Sequence, residues 1–319
     1  MDNSNFLSEC TFDKIELAAQ KLHKGQLVAF PTETVYGLGA DGLNASAVKR
    51  IYKVKARPSN HPLIIHISTF DLLHFWVSDI PEYALTLARD FWPGPMTLVL
   101  KKGANTGDYL TGGQDSVAIR VPNEPTALAL LRAFEFLGGK GVAAPSANRF
   151  GQVSPTSAKD VLVELGDYLV KGDLVLDGGY SKVGIESSII DCTSELPRIL
   201  RPGAISPAMV NESTGLITSD QPVDIRVSGS FLSHYSPKAN VILDVRPSFG
   251  QGFIALADVP TPPGVIRIAS PVDIEEFAQV LYQSFRLADS LNLKELVIHQ
   301  PEGENLAAAI RDRLRKASS

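Results

Sequence analysis

Apolar residues recur at helical spacing over 12–24, where Ile15, Ala18, Ala19 and Leu22 share one face and Gly25 stands ready to end the helix. The apolar run 27–30 then predicts a short buried strand. Asn44 is placed to cap a helix running to about Val54, with Ala47, Val48, Ile51 and Val54 on one side. Residues 63–67 predict the next strand. The alternation continues with helices over 81–91, 125–136 and 157–165, and strands over 96–101, 116–121, 142–144, 174–176, 187–192 and 198–200. Close-set strands between 187 and 200 predict antiparallel pairing, so the sheet is expected to be mixed.

From 211 to 237 the pattern lapses into Ser, Thr, Gly and Pro, the composition of a linker. Beyond it, strands over 241–243, 253–256, 265–268 and 296–298 alternate with helices over 272–291 and 305–316. The expected division is a larger α/β unit over 1–210, a linker over 211–238 and a small C-terminal α/β unit over 239–319. The 319 residues exceed the roughly 100 to 200 typical of one domain, which agrees with two.

Composition narrows the classes. Hydrophobic residues at 44% and charged residues at 20% suit a chain that folds rather than a disordered one. A net charge of -5 argues against a protein that coats nucleic acid with a broad basic surface. Cys10 and Cys192 are far apart and lack C-x-x-C spacing, so neither a disulfide framework nor a thiolate zinc site is expected, and a reducing cytoplasm fits. The stretch MDNSNFLSECTFDK has acids where a signal peptide needs positive charge. No run approaches the ~20 apolar residues of a membrane span.

Gly37-Leu38-Gly39-Ala40-Asp41-Gly42 fits the spelling of a dinucleotide-binding turn, but its context does not. Six residues separate the preceding strand from Gly37, the helix begins only after Gly42, and the next strand ends in His66-Ile67-Ser68 without the acid that holds a ribose. The glycines are expected to serve a tight loop through positive φ or close backbone approach. Thr32, Glu33, Thr34 and Tyr36 need another account, because α/β sheets place ligands at strand ends.

The run Lys49 to Arg57 holds five cations and no acid. Lys49, Arg50 and Lys53 suit a solvated helix face. Lys55 and Arg57 are expected past the helix, just before Pro58, where they could clamp a polyphosphate without a Walker A loop. Polar groups recur at other strand ends: Arg120, then Pro145-Ser146-Ala147-Asn148, then Ser187-Ser188, then Arg201-Pro202-Gly203. One shared cleft explains this recurrence better than separate accidents.

Thr32-Glu33-Thr34-Val35-Tyr36-Gly37-Leu38, Lys55-x-Arg57-Pro58, His61-Pro62-Leu63, Trp92-Pro93-Gly94-Pro95, Arg120-Val121-Pro122, Pro145-Ser146-Ala147-Asn148 and Arg201-Pro202-Gly203 together resemble the YrdC-type threonylcarbamoyl-AMP synthases over residues 12 to about 210. Ser233-His234-Tyr235-Ser236-Pro237 resembles the linker of the longer, two-domain members. His61 stands where many members have Asn, Ser236 replaces an Ala, and Ser228-Gly229-Ser230-Phe231-Leu232 departs from the usual Ser-Pro-Gly-Met form.

The resemblance implies a twisted mixed α/β sheet with flanking helices and a concave cleft, plus a smaller Rossmann-like C-terminal domain. It implies a catalytic unit that joins L-threonine, bicarbonate and ATP, with Mg²⁺ on the phosphates, into threonylcarbamoyl-adenylate and pyrophosphate. A separate transfer complex would pass the group to adenosine 37 of tRNA, and a weak tRNA contact is allowed. By residue matching, Lys55, Arg57, Ser146 and Asn148 form the catalytic nucleotide site, and His61, Ser116, Ser154, Arg201 and Tyr235 also contact ATP. Threonine would meet Thr34, Tyr36, His66, Arg120, Ala144 and Ser187. No metal-ligand spacing is visible in the protein side chains. Tyr235 suggests a linker that closes over the nucleotide.

Two other functions compete. A non-catalytic module binding double-stranded RNA or tRNA would rest on the run 49–57, against the acidic balance. Carbamoyl-adenylate formation, as in hydrogenase maturation proteins, would need acylphosphatase and zinc-finger segments that are not in this sequence.

Overall fold

The computed structural model describes residues 6–229 and 235–319. The N-terminal expectation drawn from Met1–Asn5 and the Ser233-His234 part of the linker motif lie outside the described residues.

Among the described residues, eleven strands form one mixed sheet. Its spatial order runs Leu7–Glu9, Leu174–Asp177, Val28–Phe30, Gly37–Asp41, Val142–Ala143, Ile64–His66, Ser116–Arg120, Met96–Lys102, Ser188–Asp191 and Arg198–Arg201, with Val77–Asp79 added beside Met96–Lys102. Ile64–His66 and Ser116–Arg120 are parallel, whereas Arg198–Arg201 returns antiparallel to Ser188–Asp191 as the close spacing predicted. Because the pleated backbone places every second side chain on one face and the sheet order sets distant strands side by side, the strand ends bring polar residues from distant parts of the chain together.

Helices cover both faces. Phe12–His23 and Pro125–Phe136 pack together, burying Ala18, Ala19, Leu22, Leu130 and Phe134 over Val28, Phe30 and Val142. Ala45–Lys55 is capped as its sequence predicts: Asn44 Oδ1 accepts from the N–H of Ser46 at 3.1 Å and of Ala47 at 3.0 Å. Ser157 and Asp160 form a reciprocal capping box at the start of Ala158–Leu165.

Three expectations are corrected. The glycine motif is a strand, Gly37–Asp41, paired with Val28–Phe30 and Val142–Ala143, and none of its three glycines has positive φ. Close approach is the reason for Gly39: a Cβ there would lie 2.7 Å from Val142 Cγ1 and 2.9 Å from the Phe30 ring. Lys55 is the last residue of its helix rather than past it, and Ala56 makes the turn at φ 49°. The expected start of the linker at 211 falls inside a helix, Pro207–Thr214, whose Ser206 cap, Pro207 at the first turn and left-handed Gly215 are ordinary start and stop signals.

The C-terminal segment builds a four-stranded parallel sheet, Asn240–Leu243, Glu295–Ile298, Gly252–Ile254 and Ile266–Ala269, flanked by Ile274–Ser290 and Leu306–Ala317. Its core is continuous with the larger unit, because Val35, Val153, Ile185 and Tyr235 pack with Phe277, Leu281 and Tyr282. Burying this shared apolar surface fixes the C-terminal helices against one end of the large sheet.

Candidate active site

The site begins where Val28–Phe30 ends. The Thr32 hydroxyl donates to the Val35 carbonyl at 2.6 Å and accepts from the N–H groups of Thr34 and Val35, both at 3.2 Å. This side-chain turn fixes Glu33 and Thr34 at the strand end. Thr34 Oγ1 lies 2.8 Å from Thr32 Oγ1 and accepts a 2.8 Å bond from Arg120 Nη1.

Arg120 stands at the end of Ser116–Arg120, beside His66 on the neighbouring strand. Its Nε donates to the Gly94 carbonyl at 3.2 Å, and Nη2 lies 2.7 Å from Glu33 Oε1. That ion pair is short, yet its angles leave neither Nη2 nor Oε1 hydrogen-bonded. Arg120 and Glu33 are 3% and 6% exposed, so the unfilled hydrogen-bonding capacity is buried.

Across the cleft, Arg201 holds Ser187 at two atoms: Nε donates to its carbonyl at 2.9 Å and Nη2 to its hydroxyl at 3.0 Å. Thr97 Oγ1 lies 2.8 Å from that hydroxyl. Arg57 Nη2 donates to the Pro62 carbonyl and to Ser228 Oγ, both at 2.9 Å, and burial pulls its pKa to about 10, which leaves it cationic at neutral pH. Thr34, Tyr36, Arg57, His66, Arg120, Ala144, Ser146, Ser187, Arg201 and Tyr235 thus line one cleft, open to solvent at its mouth.

The remaining expected residues lie behind or beside that wall. Lys55 is 1% exposed and donates to the carbonyls of Ser146, at 2.6 Å, and Asn148. Burial, reinforced by Arg57, pulls its pKa well below the ordinary lysine range. Asn148 Nδ2 donates to the carbonyls of Arg149 and Gln152, while its Oδ1 is buried without a hydrogen-bond partner. His61 packs edge-on to Phe150 at 5.1 Å, Ser154 donates to Glu186 at 2.6 Å, and Ser116 lines a small adjoining hollow with Ser228. Tyr36 presents its ring, because its hydroxyl donates to Gly179 and accepts from Gly178.

The basic run does not form one surface. Lys49 and Lys53 are exposed, Arg50 pairs with Asp173 at 2.7 Å, and Lys55 and Arg57 are buried.

Unlike its partner Ser154, Glu186 is not among the residues that the sequence motifs point to, nor are Tyr282 and Arg313. It lines the cleft, and its carboxylate accepts from Ser154, from Tyr282 and, at 2.8 Å, from Arg313 of the C-terminal helix. Burial opposes its ionisation, but Arg313, Arg201 and the Ser154 bond hold its pKa at about 2. A signal existed: Arg313 interrupts an apolar stripe formed by Ala309, Ile310, Leu314 and Ala317.

His66 Nδ1 is buried without a partner, and burial plus the Arg120 charge lower its pKa from 6.5 to about 3. The folded chain therefore holds this ring neutral while the unfolded chain takes a proton below pH 6.5. Stability from this group is complete above pH 6.5 and declines as pH falls toward 3. Between pH 7 and pH 5 the loss should reach about 2 kcal/mol. Urea unfolding at both pH values should show this loss in the wild type and a smaller one in His66→Gln; equal losses would contradict it.

Residues 20–203 match the family described as "Telomere recombination", which groups Sua5, YciO and YrdC, and residues 194–319 match "Threonylcarbamoyl-AMP synthase, C-terminal domain". The chain is 38% identical over 326 residues to a threonylcarbamoyl-AMP synthase of Pyrococcus abyssi, covering 96% of this chain and 94% of that one. It is 42% identical over 232 residues to a threonylcarbamoyl-AMP synthase of Bacillus subtilis, covering 71% and 65% of the two chains. The crystal structure of P. abyssi Sua5 complexed with L-threonine superposes with a TM-score of 0.87 at 36% identity, covering 98% of this chain and 97% of that one.

Proposed function

The chain belongs to the threonylcarbamoyl-AMP synthase family, in its long two-domain form, and on that footing we propose that it joins L-threonine, bicarbonate and ATP into threonylcarbamoyl-adenylate with release of pyrophosphate. The observation that carries the reading is Arg120. Buried in the cleft lining, its guanidinium donates to the Thr34 hydroxyl and pairs through Nη2 with Glu33 at 2.7 Å, and the Ser187 hydroxyl lines the same cleft, a set of charge and hydroxyls that suits a hydroxy amino acid. A substrate carboxylate can compete with Glu33 for the Arg120 guanidinium, and a substrate hydroxyl can bond Thr34 or Ser187.

The reaction needs no side-chain nucleophile. The threonine amine adds to bicarbonate and, with loss of water, gives a carbamate. A carbamate oxygen then bonds to the α-phosphorus, the bond from that phosphorus to the bridging oxygen breaks, and pyrophosphate leaves. Catalysis falls to positioning and charge. Arg57 and Arg201 supply fixed positive charge, while Lys55 holds the Ser146–Asn148 loop and His66, being neutral, adds no charge beside Arg120.

Mg²⁺ fits this donor set as a companion of the nucleotide. The Glu186 oxygens are already taken by Ser154, Tyr282 and Arg313, so the ion would sit on the phosphates, where it neutralises charge. Transfer of the threonylcarbamoyl group from the adenylate to adenosine 37 of tRNA by a separate complex, with release of AMP, completes the proposal. No helix among the described residues is long and apolar enough to cross a membrane. A cytoplasmic setting, where free thiols such as Cys10 and Cys192 persist, is part of the same proposal.

Pyrophosphate release from ATP should require both threonine and bicarbonate. Release that continues when either is omitted would sink the reading.

A further inference from the structure

We propose that Arg313, on the C-terminal helix Leu306–Ala317, is a positioning residue that sets the nucleotide wall of the cleft by neutralising Glu186 and holding the segment that carries Arg201. The inference rests on the proposed use of ATP and extends it to a residue outside the catalytic unit.

Three contacts carry it. Arg313 Nε donates to Glu186 Oε2 at 2.8 Å, and Nη2 donates to the carbonyl of Pro202, next to Arg201, at 3.0 Å. Its guanidinium also lies 5.4 Å from the centre of the Tyr235 ring, which stacks on Tyr282 at 5.8 Å. Arg313 is 0% exposed and Glu186 is 6% exposed, so the pair is screened little by solvent. One turn along, Lys316 Nζ donates at 2.8 Å to the carbonyl of Gly229, a residue that also lines the cleft.

The chemistry gives these contacts a purpose. Glu186 puts a buried carboxylate on the wall of a site that must accept a triphosphate, and like charges repel strongly in a desolvated cleft. Ser154 and Tyr282 satisfy its lone pairs but bring no charge. Arg313 brings the charge in direct contact, supported by Arg201, and shares its Nη1 with Asp312 at 2.7 Å. A strut that only held two units together would not need a carboxylate at this position, because apolar packing already joins them.

The test uses the full chain and two readouts: ATP and threonine dissociation constants by calorimetry, and KM for each in pyrophosphate release. Arg313→Ala should weaken ATP binding about tenfold while threonine binding changes less than about threefold. Glu186→Gln should tighten ATP binding about threefold, and the double variant should recover most of the Arg313→Ala loss. Arg313→Lys, which keeps the charge, should rescue in part. If Arg313→Ala does not fold, Glu186→Gln decides alone.

Unchanged ATP affinity in Arg313→Ala, a double variant as weak as that single one, or Glu186→Gln weakening ATP tenfold would each overturn the inference. Wild type that binds ATP but releases no threonine-dependent pyrophosphate would overturn the functional reading instead, and the binding constants would still decide on Arg313. Wild type that binds no ATP would overturn both.

Discussion

Arg120→Ala is expected to lower kcat/KM for threonine about a hundredfold, because it removes the buried cation that a substrate carboxylate would pair with, a loss of about 2–5 kcal/mol of binding. Two effects add. The substrate carboxylate loses its fork of donors, and Glu33 is left as an uncompensated buried charge 2.7 Å from the vacated guanidinium. Thr34 also loses the 2.8 Å bond that orients its hydroxyl toward the cleft. The ATP KM should move far less, since Arg57 and Arg201 lie elsewhere in the cleft. Arg120→Lys should not restore threonine use, because a lysine cannot reach Thr34, Gly94 and a carboxylate together. Steady-state kinetics with threonine varied, with circular dichroism confirming the fold, checks this. A threonine KM within threefold of wild type would exclude Arg120 from the substrate contact.

Lys55→Ala is expected to act on kcat instead. Lys55 does not reach the cleft wall; it is a buried strut whose ammonium ties Ser146 and Asn148. Ser146 lines the cleft, and a displacement of about 1 Å in a positioned group can cost about a hundredfold in rate. Removing the ammonium leaves two carbonyls without their donor, at about 1–3 kcal/mol each, partly offset by no longer burying a cation. The expected result is a kcat at least about a hundredfold lower with a folded but less stable protein. Lys55→Arg should fail to rescue, because the longer planar group does not fit between two carbonyls already in contact with a single nitrogen. A near-normal kcat in Lys55→Ala would show that the Ser146–Asn148 loop needs no such tie.

The cleft is more legible in the sequence than its mechanics. Residues at the ends of separate strands, Thr34, His66, Arg120, Ser187 and Arg201, do converge, since alternating strands and helices bring such ends to one side of a sheet. What each atom does depends on partners distant in sequence, which no local pattern reveals. Tyr36 is spent on Gly178 and Gly179 more than 140 residues away, and Lys55 on a loop more than 90 residues away. Gly37–Asp41 was hidden for a different reason: glycine has low strand propensity, and only the packing of Phe30 and Val142 against the backbone explains its presence there. Glu186 and Arg313 are separated by 127 positions, so their pairing is a tertiary event. The family resemblance drawn from the ordered motifs is borne out by the matches to both halves of the chain.

The most direct measurement follows labelled atoms into the product. Incubating the full chain with ATP, Mg²⁺, carbon-labelled bicarbonate and threonine should give one adenylate that carries both the bicarbonate carbon and the threonine, with one pyrophosphate released per adenylate formed. An adenylate containing threonine without the bicarbonate carbon, or ATP cleaved to ADP and phosphate, would contradict the account.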